Sequence, residues 1–168
     1  LPARTLSQVV SVLLASTIVV RLQSIVARDI APSDFGVVTV GSIQSGFKSN
    51  VIPETATLLI NTRAYDMAVR EKILAGIERI VRAECQGAGA PVEPTFEYYD
   101  IFPLTDNDVD VTNKVREAMI DALGEDRVEW MPPAPASEDF SHIPDAFGVP
   151  YTYFGFGGFE EGKGIPNH

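Results

Sequence analysis

The sequence predicts an α+β fold, and three observations carry that prediction. A run of apolar residues at helical spacing opens the chain. Two β-branched runs with period-2 alternation follow it around a Pro-containing turn, and a second helical run comes next.

Each element has its own signature. From about Leu6 to Arg28, Val9, Val10, Leu13, Leu14, Thr17, Val20 and Val26 recur every three or four residues, and Pro32 marks a stop. The stretch from Thr5 to Val20 carries no charge, but it falls short of the ~18–20 apolar residues of a membrane span and contains Ser7, Gln8, Ser11, Ser16 and Thr17. It reads as a largely buried helix without a signal-peptide cleavage site. Residues 35–47, FGVVTVGSIQSGF, alternate as a strand in which Gly41 and Gly46 mark a bulge or a close backbone approach. KSNVIPE is a turn closed by Pro53. TATLLINTRAY is the second strand, with Leu59, Asn61, Arg63 and Tyr65 on one face and Leu58, Ile60 and Thr62 on the other. Asp66 can cap a helix from Met67 to Gln86, with Ile73, Ile77, Ile80 and Val81 as its apolar stripe and Arg70, Lys72, Arg79 and Arg82 facing water. VEPTFEYYDIF then reads as a third strand, with Pro94 at an edge or bulge. The order helix, strand, strand, helix, strand is that of a ferredoxin-like split βαββαβ sandwich whose first strand is missing.

The character changes near Pro103, which divides the chain into residues 1–103 and 104–168. A helix capped by Thr105 or Asp106 runs through Val115 and Met119 to about Leu123. RVEWM reads as a short strand. PPAPASEDFS is a Pro-rich loop leading to a short helix, with Ser137 as a cap. VPYTYFGFGG reads as a buried aromatic strand. One helix and two short strands make a thin core, so this part completes something larger rather than folding alone.

Composition narrows the function. The 168 residues are 45% hydrophobic and 21% charged, ordinary for a globular protein. A net charge of -10 with 13 basic residues argues against nucleic-acid or anionic-membrane binding. The single cysteine, Cys85, allows no intramolecular disulfide and fits a cytoplasmic protein. It has no histidine near it in sequence to make it a nucleophile. Gly155, Gly157 and Gly158 lack the Lys-Ser/Thr ending of a phosphate loop. The absence of an initiator Met and the ending GIPNH suggest a piece of a longer protein.

Three segments carry a family resemblance: GFKSNVIPETATLLINTRAY, with Asn50 before Val-Ile-Pro and Arg63 one strand later; ASEDFSHIP, from Ala136 to Pro144; and VPYTYFGFGG…IPNH, ending at His168. In this order they resemble the amidohydrolase branch of the dinuclear zinc peptidases, the aminoacylase and carboxypeptidase family that includes hippurate hydrolases and N-acyl-amino-acid hydrolases.

The resemblance implies a metal-dependent hydrolase of the amide bond in N-acyl or N-carbamoyl amino acids or short peptides, using water activated by two divalent metals, zinc or another such as manganese. It implies a ferredoxin-like lid at 1–103, through which two copies dimerise, and the returning part of the catalytic domain at 104–168. By position, Asn50 and Arg63 match substrate contacts that in relatives often act across the dimer. Glu138 and Asp139 match a loop lining the cleft, and His168 matches a late metal ligand. The general base and most metal ligands of the family have no counterpart here, so no catalytic residue is assigned and the chain alone is expected to be inactive and to hold no metal pair.

Plainer readings stand beside these. Asn50 can be a turn residue and Arg63 an exposed strand residue. Glu138 and Asp139 can favour the dipole of a short helix, His142 can be a surface histidine, and His168 a solvated end. Two other functions fit the first half: a dimerisation module joined by edge strands or helices, or an amino-acid-binding regulatory domain with the same βαββαβ layout.

Overall fold

The computed structural model describes residues 11–136 and 138–157. They form two compact units, divided between Ile101 and Phe102.

In the first unit, two helices cover one face of a two-stranded antiparallel sheet. Helix α1, Ser11–Ser24, widens to a π-helical last turn at Ile25–Asp29, where the Ile30 amide donates to the Ile25 carbonyl at 3.2 Å. Strands β1, Gly36–Gln44, and β2, Thr57–Ala64, pair from Gly36↔Ala64 to Gln44↔Thr57, with a bulge between Val40 and Ser42 at the expected Gly41. Helix α2, Met67–Gly87, starts on Asp66, whose carboxylate accepts from the Ala68 and Val69 amides at 2.8 and 3.0 Å.

The core is where the three periodicities meet. Ile18, Leu22 and Ile25 come from α1, Val38 from β1, and Val69, Ile73, Ile77, Ile80 and Val81 from α2; Leu58 and Ile60 of β2 pack against them. Gly76 permits the close approach of the helices, because a Cβ there would lie 3.3 Å from the Ile25 side chain. Arg21–Glu84 at 3.2 Å and Arg79–Asp29 at 2.7 Å tie the helices at the surface, where such pairs add at most about 1 kcal/mol each.

Two expectations need correction here. Helix α1 is not largely buried. Ser11, Ala15, Ile18 and Leu22 are buried, whereas Val12, Leu13 and Val20 on other sides are 45%, 63% and 70% exposed. Apolar residues surround this helix, so spacing alone does not say which side meets the core. By length and composition the helix Ser11–Asp29 could also cross a membrane.

The second correction is the expected third strand, VEPTFEYYDIF, which forms no ladder among the described residues. In a split βαββαβ sheet the last strand pairs with the first, and the described residues contain no such first strand. The segment is held instead by side chains. Phe96 packs on the core under the Arg82 guanidinium, 5.0 Å from its ring centre, and the Tyr98 hydroxyl donates to Glu78 at 2.6 Å.

In the second unit, helix α3, Val109–Leu123, is capped by Asp108, which accepts from the Val111 amide at 2.8 Å. Thr105 and Asp106 are not the cap, because the residues before Asp108 are held by 151–153. The Asp106 amide donates to the Tyr151 hydroxyl at 3.0 Å, the Asp108 amide donates to the Tyr151 carbonyl at 2.8 Å, and the Asn107 side chain bonds both backbone groups of Tyr153. The expected strands RVEWM and VPYTYFGFGG form no ladder among the described residues, and Gly158 lies outside them. Helix α4, His142–Phe147, ends on Gly148 in the left-handed region (φ 63°). Among the described residues of this unit only Ser141 and Pro144 are buried. Trp130, Met131, Phe147 and Phe156 are exposed.

Ile73 is fully buried at the centre of the first unit. Ile73→Ala should lower the stability of this unit by about 2–5 kcal/mol, read as a lower urea midpoint. Glu78 lies below the usual carboxylate range, chiefly through the Tyr98 hydrogen bond, with Arg82 adding to it against the opposing effect of burial. A depressed folded-state pKa contributes stability above the unfolded value, and that stability is lost as pH falls through the folded value. Tyr98→Phe should therefore move the Glu78 titration upward in carboxyl-detected NMR and flatten the acid limb of the stability profile.

Candidate functional site

Strand alternation places Asn61 and Arg63 on the face of β2 that points away from the helices, with Leu59 beside them. Their β1 partners are Thr39, opposite Asn61, and Val37, opposite Arg63. Arg63 donates from Nε to Asn61 Oδ1 at 3.3 Å. Among the described residues of the first unit no helix lies on this face, so polar side chains are tolerated there.

Asn50 lies in the connection between the strands. Gly46 takes a positive φ of 75°, which suits glycine, and a Cβ there would meet the Pro53 ring at 3.3 Å. The Ser45 hydroxyl donates to the Thr55 carbonyl at 2.7 Å, and Ser11 of α1 donates to the Pro53 carbonyl at 2.8 Å. The loop is thereby pinned at its base and against α1. It surrounds an open basin of about 660 Å³ lined by Val12, Phe47, Lys48, Asn50, Ile52 and Pro53.

Asn50 and Arg63 are not brought together. The register puts Thr57 at the loop end of β2 and Arg63 six residues further on, roughly 20 Å away along the strand. The two residues occupy opposite ends of the hairpin.

In the second unit, Glu138 is half-buried and Asp139 exposed. The Asp139 carbonyl accepts from the His142 amide at 3.1 Å, closing a turn before α4. Phe140 packs on Tyr151 and Tyr153, with ring centres 5.6 and 5.0 Å away. Ser141 is fully buried, and its hydroxyl has no hydrogen-bond partner among the described residues. Ser137, read as a cap, and His168, read as a metal ligand, both lie outside the described residues.

Among the described residues no three His, Cys, Asp or Glu side chains converge as a metal site. Burial, followed by the charges of Glu93 and Glu84, pushes the Cys85 thiol up, so it is not a poised nucleophile. Asn61 was legible as a face-mate of Arg63, but its hydrogen bond to Arg63 was not. Nothing in the sequence pointed to Ser11 as the residue that pins a loop 42 positions away.

Comparison with known proteins fits this geometry. Residues 7–88 match the peptidase dimerisation domain of the M20 family. The chain is 34% identical over 149 residues to thermostable carboxypeptidase 1 of Saccharolobus solfataricus, covering 88% of this chain and 36% of that protein. It is 32% identical over 127 residues to the hippurate hydrolase of Campylobacter jejuni, covering 75% of this chain and 33% of that protein. The chain thus spans about a third of the length of these relatives. Its fold is also that of a crystal structure from Bacillus subtilis, described as a dinuclear metal-binding peptidase of the M20 family, with a TM-score of 0.68 and 23% identity over 84% of this chain and 35% of that one. Residues 7–88 of the first unit are thus similar to a peptidase dimerisation domain of the M20 family.

Proposed function

We propose that this chain is part of a metal-dependent amidohydrolase that cleaves the amide bond of N-acyl or N-carbamoyl amino acids or short peptides. The observation that carries the reading is the dimerisation-domain match, joined to similarity across both units with a carboxypeptidase and a hippurate hydrolase. Residues 1–103 act as the lid and 104–168 as a returning part of the catalytic domain, in a cytoplasmic protein.

In this reading, Arg63 takes the α-carboxylate of the substrate, since a planar guanidinium can donate two parallel hydrogen bonds to it. Asn50 makes a second contact. Because the hairpin separates the two residues, they act at different sites or on substrates held between two copies. Glu138 and Asp139 line the cleft.

Two divalent metals, zinc foremost, belong to the same reading. A neighbour in fold is described as dinuclear, and His168 is the candidate ligand here. The donors in this chain do not fit such a pair by themselves: it has two histidines in all, and its described residues hold no ligand cluster. No step of the reaction is therefore assigned to its side chains.

The partner is a second copy, through the first unit. Its outer α1 surface, with Val12, Leu13 and Val20, is the apolar face left over once the core is formed.

The full-length, metal-loaded protein should hydrolyse N-acyl amino acids and lose that activity with a chelator, while residues 1–168 alone should show none. Turnover of an N-acyl amino acid by residues 1–168 would overturn the partial-site reading, and an inert full-length protein would overturn the enzyme. Val20→Asp should shift a dimer toward monomer in sedimentation velocity; an unchanged dimer would move the interface elsewhere.

A further inference from the structure

Lys48 differs from the arginines of the two helices. Arg21, Arg79 and Arg82 each pair with a carboxylate, whereas Lys48 takes part in no ion pair among the described residues. Its ammonium lies over the Phe47 ring, 5.8 Å from the ring centre. Among the described residues, Lys48 is also the one charged side chain that lines the basin of about 660 Å³ in the β1–β2 connection. Beside it are the Asn50 amide and the apolar side chains of Phe47, Ile52 and Pro53. The connection is fixed at its base, by the Ser45 hydroxyl on the Thr55 carbonyl and the Ser11 hydroxyl on the Pro53 carbonyl. A segment ordered before binding loses less conformational entropy when a ligand arrives. Apolar groups around a cation weaken the screening by water and strengthen its attraction for an anion. The chain carries a net charge of -10, so an anionic ligand meets repulsion overall and needs a cation close at hand. Arg63 does not serve at this place, because the register puts it at the other end of the hairpin.

We infer that the β1–β2 connection binds a small carboxylate with an apolar body. Lys48 pairs with the carboxylate, the Asn50 amide donates a hydrogen bond to it, and Phe47 and Ile52 cover the apolar part. This inference rests on Asn50 being a substrate contact, and it assigns the charge recognised at that contact to Lys48. It also makes the contact selective: a free carboxylate gains from Lys48, and the corresponding carboxamide does not.

The test titrates N-benzoylglycine, with its carboxamide as the uncharged control, into the isotope-labelled chain of residues 1–168 and follows the backbone amides of residues 46–52 by NMR. The acid should shift these amides in a saturable way, and added salt should weaken its binding. Lys48→Met should raise the Kd of the acid about two- to fivefold, and Lys48→Arg should restore it. The carboxamide should bind more weakly and be indifferent to Lys48→Met. Lys48 is exposed on a loop, so neither replacement disturbs the core. Equal Kd values for acid and carboxamide, an unchanged Kd in Lys48→Met, or no shifts at residues 46–52 would overturn the site. Binding is read here without turnover, which separates this inference from the hydrolase reading. An inert full-length protein, with Lys48-dependent binding at these amides, overturns the hydrolase and supports the site. An active full-length protein, with no acid-dependent shift at these amides, overturns the site alone.

Discussion

The first unit depends on how closely α1 can approach α2. Gly76 has no side chain, and Ile25 fills the space that one would take, at 3.3 Å from where a Cβ would stand. With the helices this close, Leu22, Ile25 and Ile73 are excluded from solvent completely. Close-packed apolar groups of this kind gain both from leaving water and from dispersion contacts. The helix pair then presents one continuous apolar surface, and Val38, Val40, Leu58 and Ile60 of the sheet close onto it.

That packing divides the remaining surface by chemistry. The sheet has only one face to bury, so its other face keeps polar side chains such as Asn61 and Arg63 in water. The outer side of α1 is different, because it stays apolar although none of the described residues of the first unit covers it. An exposed apolar helix face lowers its free energy by association, whereas polar side chains on a sheet face are already satisfied by water.

The second unit has little core of its own. It is held by bonds from Asp106, Asn107 and Asp108 to residues 151–153, and by Phe140 against Tyr151 and Tyr153. Its large apolar side chains stay mostly exposed, and burial of so few residues offsets little conformational entropy.

Much of the fold was legible because it is local. The period of α2, its cap at Asp66, the Gly41 bulge and the alternation that puts Asn61 beside Arg63 all depend on residues a few positions apart, and the sequence by itself determined them. The rest depends on partners far along the chain. VEPTFEYYDIF has strand-like residues but, among the described residues, no strand beside it to pair with. Helix α1 has apolar residues on every side, and only contact with α2 selects the buried one. Asp108 rather than Asp106 caps α3 because Tyr151 and Tyr153, more than forty residues later, hold the residues before it. The separation of Asn50 from Arg63 follows from the β1–β2 register. Local chemistry decides which elements can form. Only the tertiary structure decided which faces and residues those elements bring together, because pairing and packing energies are set by residues distant in sequence.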